Sequence, residues 1–364
     1  MEYLNLSTIT ASLIGAGAAY AFLKNKINSN NNNSCGSIEF PTNVLNRWSK
    51  LNNGYSWEMF LEEIKEIPDP SKFKSQIDNC LLLKLSGNHY EALVQFLKIL
   101  TTIEKLKSNK NLYYITINDY INENKEILVL MKESIQLKDL MNAFFSEDAW
   151  VNEKELSGDD KSVTYSYKHN GRQLKARKFI KVIDKPIKNL LLRVEELQLF
   201  NTWKWYQHIT RLDDYKGTKL VSIISVLSRF ILFNRAAYCW TLTYTLPDGS
   251  VIVAVNGANN RQSDYELPPL PKQFSHPDIF FHAWRFIPLS PTKTIVVSVM
   301  ESDPKIWFLP FEGFIAQGRT FGCRELVLLD QHSTYIKGTE YEDLLEKNPL
   351  YKQVDKILFE KFNK

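Results

Sequence analysis

The chain changes rhythm near its middle. Between about Phe40 and Met141 apolar residues recur at three- and four-residue intervals, the spacing that lines one helix face. "SWEMFLEEIKEI" opens with Ser56 three residues before Met59 and carries acids in its first turn, which predicts a helix start at that serine. "SKFKSQIDNCLLLKL" and "HYEALVQFLKILTTIEKL" predict two further helices joined by a short "SGN" turn. For "NLYYITINDYINENKEILVLMKESI" the pattern leaves a strand followed by a helix open.

From about Asp148 the period falls to two. "KSVTYSYKHN" alternates and, with "GRQ" as the turn, pairs with "LKARKFIKVI" as a hairpin. After Pro186 a helical stripe of Ile187, Leu190, Leu191, Val194 and Leu197 runs into the aromatic cluster Phe200, Trp203, Trp205 and Tyr206. Five more strand-like runs follow: "TKLVSIISVL", "AAYCWTLTYTL", "PDGSVIVAVNG", "FFHAWRFIPL" and "TKTIVVSVM". "LPDGS" predicts a hairpin turn, Pro247 presetting φ and Gly249 supplying a permissive backbone.

A last helix from Pro310 to about Leu329 sets Phe311, Phe314, Ile315, Gly318 and Gly322 on one side. Gly313, Gly318 and Gly322 each weaken it by about 1 kcal/mol relative to alanine, which predicts a lid held by packing and able to open. This order of strands and helices is α+β. Alternation turns Tyr238, Trp240, Leu242 and Tyr244 to one side, and Val251, Val253 and Val255 likewise to one side. Sheet and terminal helix therefore either pack solid or enclose an apolar cavity. The tail "EDLLEKNPLYKQVDKILFEKF" is amphipathic without a basic excess and reads as a surface helix.

The N-terminus differs from both halves. Leu4 to Leu23 carries no charge for twenty residues, long enough to cross a bilayer as a helix, and Lys24 and Lys26 follow at once. The positive-inside tendency then places the bulk of the chain in the cytosol. A cleaved signal peptide is the alternative, although its basic residues would normally precede the apolar run. "GAGAAY" lacks the last glycine and the strand–turn–helix setting of a dinucleotide loop, and its small residues suit close helix packing in a membrane. "NSNNNNSCGS" reads as a flexible linker. The expected organisation is an anchor over 1–26, a linker over 27–39, a helical segment over 40–141, a sheet domain over 142–335 and a terminal amphipathic helix over 336–364.

Composition removes several classes of function. At 364 residues, 44% hydrophobic and 24% charged, the chain is ordinarily globular. A net charge of +4 with no basic stripe argues against a nucleic-acid partner. Four distant cysteines without CxxC spacing fit a reducing compartment, and six scattered histidines form no ligand pair. No cofactor and no metal site is expected. Asn88, His89, Tyr90 and Ala92 faintly resemble one tetratricopeptide unit, but no second copy follows, which favours a small helical bundle with a possible protein partner.

Three blocks resemble a known family. They are the opening "W-x-x-x-x-E-L-S-G-D-D-K-S-V-T-Y-S-Y" from Trp150, "NRAAYCWTLTYTLPDGSVIVAVNG", and "FIPLSPTKTIVVSVMESDPKIWFLP" with the aromatic helix after it. Together, over roughly 145–335, they are similar to the START lipid-transfer domains of the helix-grip superfamily. The chain departs from that pattern at Asn234-Arg235-Ala236, at Ile306 before Trp307, and in the long proline-rich loop from Ala258 to Ile279. The resemblance implies a curved antiparallel sheet around the terminal helix, with a sterol, phospholipid or other apolar ligand held between them. It also implies a lining drawn from Tyr238, Trp240, Tyr244, Val297, Val299, Phe311, Phe314 and Ile315, with Arg235, Arg285 and Glu301 as candidates for a lipid head group.

The expected function is thus a membrane-tethered, non-catalytic lipid carrier. One rival is a tethered adaptor whose domain packs solid. Another is a cyclase-like enzyme on the same fold, which would need an acid or base such as His282 or Glu301 with a shifted pKa.

Overall fold

The computed structural model describes residues 56–362 except 67, 109–111, 146–150, 154–162, 170–173, 197–198, 200–205, 216–217, 226–234, 259–266, 268, 270–271, 273, 304, 306–310 and 335. The apolar segment 4–23 and the asparagine-rich linker lie outside the described residues. Residues from Asn52 onward form one compact unit.

Among the described residues five α-helices come first: α1 (Trp57–Lys65), α2 (Phe73–Leu85), α3 (His89–Ser108), α4 (Leu112–Glu123) and α5 (Lys125–Phe145). Ser56 caps α1, its hydroxyl accepting from the Met59 amide at 3.2 Å, as the serine spacing predicts. The segment left open between strand and helix is two helices, α4 and α5. Asn124 separates them: its side-chain oxygen accepts from the amides of Glu126 and Ile127 at 3.0 and 3.3 Å, ending one helix and starting the next.

The strands are β1 (Val151–Glu153), β2 (Val163–His169), β3 (Leu174–Ile183), β4 (Tyr206–Tyr215), β5 (Thr218–Ser225), β6 (Arg235–Thr245), β7 (Val251–Gly257), β8 (Asp278–Ser290) and β9 (Lys293–Asp303), with α6 (Ile187–Glu195) between β3 and β4. They form one antiparallel sheet in the order β1-β2-β3-β9-β8-β7-β6-β5-β4. The predicted "LPDGS" turn joins β6 to β7: the Gly249 amide donates to Leu246 at 3.0 Å and Gly249 has φ of 79°. After β9 come α7 (Phe311–His332), α8 (Glu340–Lys347) and α9 (Pro349–Phe362).

Both faces of the sheet are covered. Its inner face meets α7: Tyr165, Phe179, Val253, Val255, Trp284, Phe286 and Val296 share one core with Cys323, Leu326 and Leu329. Val221 from β5 belongs to that core as well as Tyr165 from β2. Those strands stand six positions apart, roughly 29 Å in a flat sheet, so the sheet must curl around its helices to bring them together. The outer face carries α3 against β6 and α5 against β9. His89 Nδ1 lies 3.2 Å from the Thr243 carbonyl, Lys178 donates to the Phe144 carbonyl at 3.1 Å, and the Arg285 guanidinium sits 4.5 Å from the Phe145 ring centre. The helices pack on one another as a small bundle and also form the outer layer of the sheet.

The tail is also part of the core. Tyr351 and Val354 are buried on α9, joined to the inner core beside Leu190, Leu191 and Val194 of α6. Glu195 at the end of α6 accepts from Thr243 and pairs with Lys219, and Asn348 donates to Glu196 at 3.3 Å. The segment is an amphipathic helix whose apolar stripe packs against the inner core while its other positions are mostly exposed. Among the described residues no helix is long and apolar enough to cross a membrane.

Candidate functional site

Register decides which residues face α7. Opposed residues of an antiparallel ladder share a face. The row Tyr165, Phe179, Ser298, Trp284 and Val253 runs across five strands on the inner side, and every member is buried. Gly322 lies directly on this row: a Cβ there would stand 2.1 Å from the Phe179 ring. The absent side chain is what lets helix and sheet touch, so the glycine serves packing. Phe179 stacks in turn on Tyr165, ring centres 4.9 Å apart.

One row further on, the interior changes character. Tyr167, Arg177, Met300 and His282 are opposed across β2, β3, β9 and β8, and each keeps accessible surface although the row beside it is closed. Arg177 Nη2 donates to Ser302 Oγ at 2.8 Å and meets Met300 Sδ at 2.9 Å. His282 Nε2 stands 3.3 Å from Ser298 Oγ and 3.4 Å from Glu325 Oε1. Glu325, one turn beyond Gly322 on α7, accepts from Trp284 Nε1 at 2.7 Å. The His282 and Glu325 side chains keep 12% and 15% of their surface exposed.

Burial sets the charge states. It pushes the Glu325 carboxyl up to about 8, against the opposing pull of the Trp284 hydrogen bond and the Arg177 charge. It holds His282 down at about 3, with Arg177 adding to the effect. Burial also lowers Arg177 from its usual value, offset by the Tyr165 hydroxyl and Glu325. Near neutral pH the site is therefore a cationic guanidinium, a neutral imidazole and a largely protonated carboxyl at the rim of an apolar floor. It offers several hydrogen-bond donors to an oxygen atom. Among the described residues no three His, Cys, Asp or Glu side chains group to hold a metal.

The residues singled out from sequence fall mostly elsewhere. Tyr238, Trp240, Tyr244, Arg285, Val297, Val299 and Glu301 all lie on the outer face: Tyr244 opposes Ile252, Ile252 opposes Arg285, and Arg285 opposes Val297. Their expected place between sheet and terminal helix is corrected. Helices cover both faces, so apolar side chains of either parity are buried, and these aromatics pack the outer layer. Arg285 is structural: wholly buried, it donates to Asp248 Oδ2 at 2.7 Å and Ser250 Oγ at 3.0 Å, locking the β6–β7 turn to β8. The Val251, Val253 and Val255 set faces α7 instead. Arg235 has inner-face parity at the start of β6, where burial lowers its pKa. Ile315 packs half-buried against the inner core. The side chains of Phe311 and Phe314 lie outside the described residues.

Arg177, Trp284, Ser298, Ser302 and Glu325 went unseen in the sequence. Arg177 stands in "LKARKFIKVI", where basic residues alternate as on a solvated strand. Glu325 carries the one available signal, an acid four residues before Leu329 and three after Gly322 in an otherwise apolar stripe.

A curved antiparallel sheet gripping a long C-terminal helix, with a few polar groups in an apolar interior, defines a helix-grip architecture. No protein-family profile and no curated protein matches the sequence. Solved structures are similar to it. Human StAR-related lipid transfer protein 5 aligns at 14% identity over 58% of this chain and 98% of its own, with a TM-score of 0.48. Human STARD10 aligns at 11% over 60% and 86%, TM-score 0.47. The Zhui aromatase/cyclase from a Streptomyces species aligns at 11% over 51% and 93%, TM-score 0.25. At such identities and scores the residues themselves have to carry the function.

Proposed function

We propose that this protein holds a lipid between the inner face of the sheet and α7, with the lipid's oxygen-bearing end at Arg177, His282 and Glu325. The observation that carries this reading is the half-open polar row of Arg177, Met300 and His282 above a row that is closed and largely apolar. A buried cation without a carboxylate partner in the ionised state is costly, and a ligand oxygen relieves that cost. Each methylene withdrawn from water adds about 0.8 kcal/mol, so the apolar part of a sterol, phospholipid or similar ligand needs few polar contacts. The apolar segment 4–23 tethers the carrier to a membrane, with Lys24 and Lys26 keeping the remainder in the cytosol. Recovery of the full chain in the alkaline-washed membrane fraction, and its loss when 1–26 is removed, tests the tether.

The reading is non-catalytic. A histidine held at about 3 is too weak a base for proton abstraction at neutral pH, which leaves the Ser298 hydroxyl 3.3 Å from its Nε2 without activation. The decisive experiment is native mass spectrometry of Asn52–Lys364, the compact unit with its outer helices intact. One lipid class bound at one per chain, and lost in an Arg177→Leu variant that still unfolds cooperatively, is the expected result. A bare mass after incubation with mixed liposomes would sink the proposal in favour of a solid-packed adaptor.

A further inference from the structure

On the other side of the sheet, a cavity of about 400 Å³ lies between α5 and the outer face, outside the interior site described above. Two alanines form the gap. Ala176 of β3 and Ala143 of α5 both line it, where larger side chains would close sheet against helix. The ladder lays Lys168, Ala176, Glu301 and Phe281 in one row across β2, β3, β9 and β8, Asn256 of β7 lines the same space, and α5 roofs it with Gln136, Asp139 and Asn142. Asn256 is 5% exposed and turns its side-chain amide to this space as one of the lining residues. Gln136 and Asn142 line the same space.

We propose that this cavity binds a hydroxylated ring, a sugar or cyclic polyol, through Gln136, Asn142 and Asn256. The lining chemistry selects that class. Three carboxamides each donate and accept, which matches hydroxyl groups that do both. Two carboxylates, Asp139 and Glu301, against one ammonium, Lys168, disfavour a phosphate or other anion. An apolar guest would offer the Asn256 amide no hydrogen bond. At the mouth Phe280 is 44% exposed, a large apolar ring available to the C–H face of a pyranose. The volume lies at the small end for ligand sites and suits one or two rings.

The ring could arrive free in solution or on a lipid, and two arms separate these sources. Full-length protein is titrated by saturation-transfer NMR with methyl glycosides and myo-inositol, and by flotation with phosphatidylcholine vesicles containing glycosylceramide. At least one probe binds, and Ala143→Leu, which fills the gap from the helix side, weakens it at least tenfold. Asn142→Ala, at an exposed position, weakens it several-fold without altering the unfolding transition. Binding to vesicles alone, lost in Ala143→Leu, assigns the ring to a lipid. Binding that survives Ala143→Leu, or no binding to any probe in either arm, overturns the proposal. Lipid capture in the interior is unaffected by either variant, so the two sites fail independently.

Discussion

Gly322 and Glu325 stand a single turn apart on α7, and each fixes a different property of the interior. At Gly322 a methyl group would enter the Phe179 ring at 2.1 Å. Gly322→Ala should therefore destabilise the protein by about 1–3 kcal/mol in urea unfolding despite alanine's better helix propensity. Combined with Phe179→Leu it should recover part of that loss, and strict additivity of the two changes would show that the contact is not the cause. At Glu325 the prediction concerns pH. Its folded pKa of about 8 lies above the ordinary 4.5, so the native state keeps a proton the unfolded chain releases, and stability falls as pH rises through that window. His282, at about 3 against 6.5, works the other way, and stability falls as pH drops from 6.5 towards 3. Between 4.5 and 6.5 the two trends oppose each other, which predicts a plateau with a decline on either side, each limb on the order of 1 kcal/mol per pH unit. Glu325→Gln should flatten the alkaline limb and His282→Phe the acid one. Denaturant midpoints measured from pH 3 to 9 decide this, and an unchanged alkaline limb in Glu325→Gln would assign the effect elsewhere.

Among the elements, the β6–β7 hairpin shows how much a local signal conveys. Pro247 and Gly249 announce its turn in the sequence, and the turn forms as announced, with Asp248 accepting from the Ser250 amide at 2.9 Å. What the local signal cannot convey is that Asp248 also holds the wholly buried Arg285, 37 residues along the chain. Arg285→Leu strands the Asp248 carboxylate with its side chain only 5% exposed, and a loss of about 3–5 kcal/mol is expected by chemical denaturation. The double variant with Asp248→Asn should lose less than Arg285→Leu alone. The existence of strands and helices was legible because period and turn residues are local properties. The face each strand presents was not. β7, "VIVAVNG", is buried at every position, so its alternation does not say which set meets α7. The same ambiguity sent Trp240 and Val297 to the wrong side of the sheet on paper. Arg177 and Glu325 stayed hidden because a charge inside looks, in one dimension, like a charge outside.

The molecule as a whole depends on layers supplied by its two flanks. α3 and α5 cover the outer face, while α8 and α9 complete the inner core through Tyr341, Tyr351 and Val354. Removing residues 336–364 should expose those sites' partners on α6 and abolish the cooperative thermal transition, whereas a tail lying free on the surface would be dispensable. Soluble yield and calorimetry of the truncated chain check this. Strand order carries a further consequence, and it concerns time. β3 finds its partner in β9, the last strand to be made, with Ala176 opposite Glu301. During synthesis the β1–β3 arm and the outer helices leave the ribosome more than a hundred residues before that partner exists. Until residue 303 emerges, β3 and β8 are both open edges, and the nascent chain must be shielded from pairing with its neighbours.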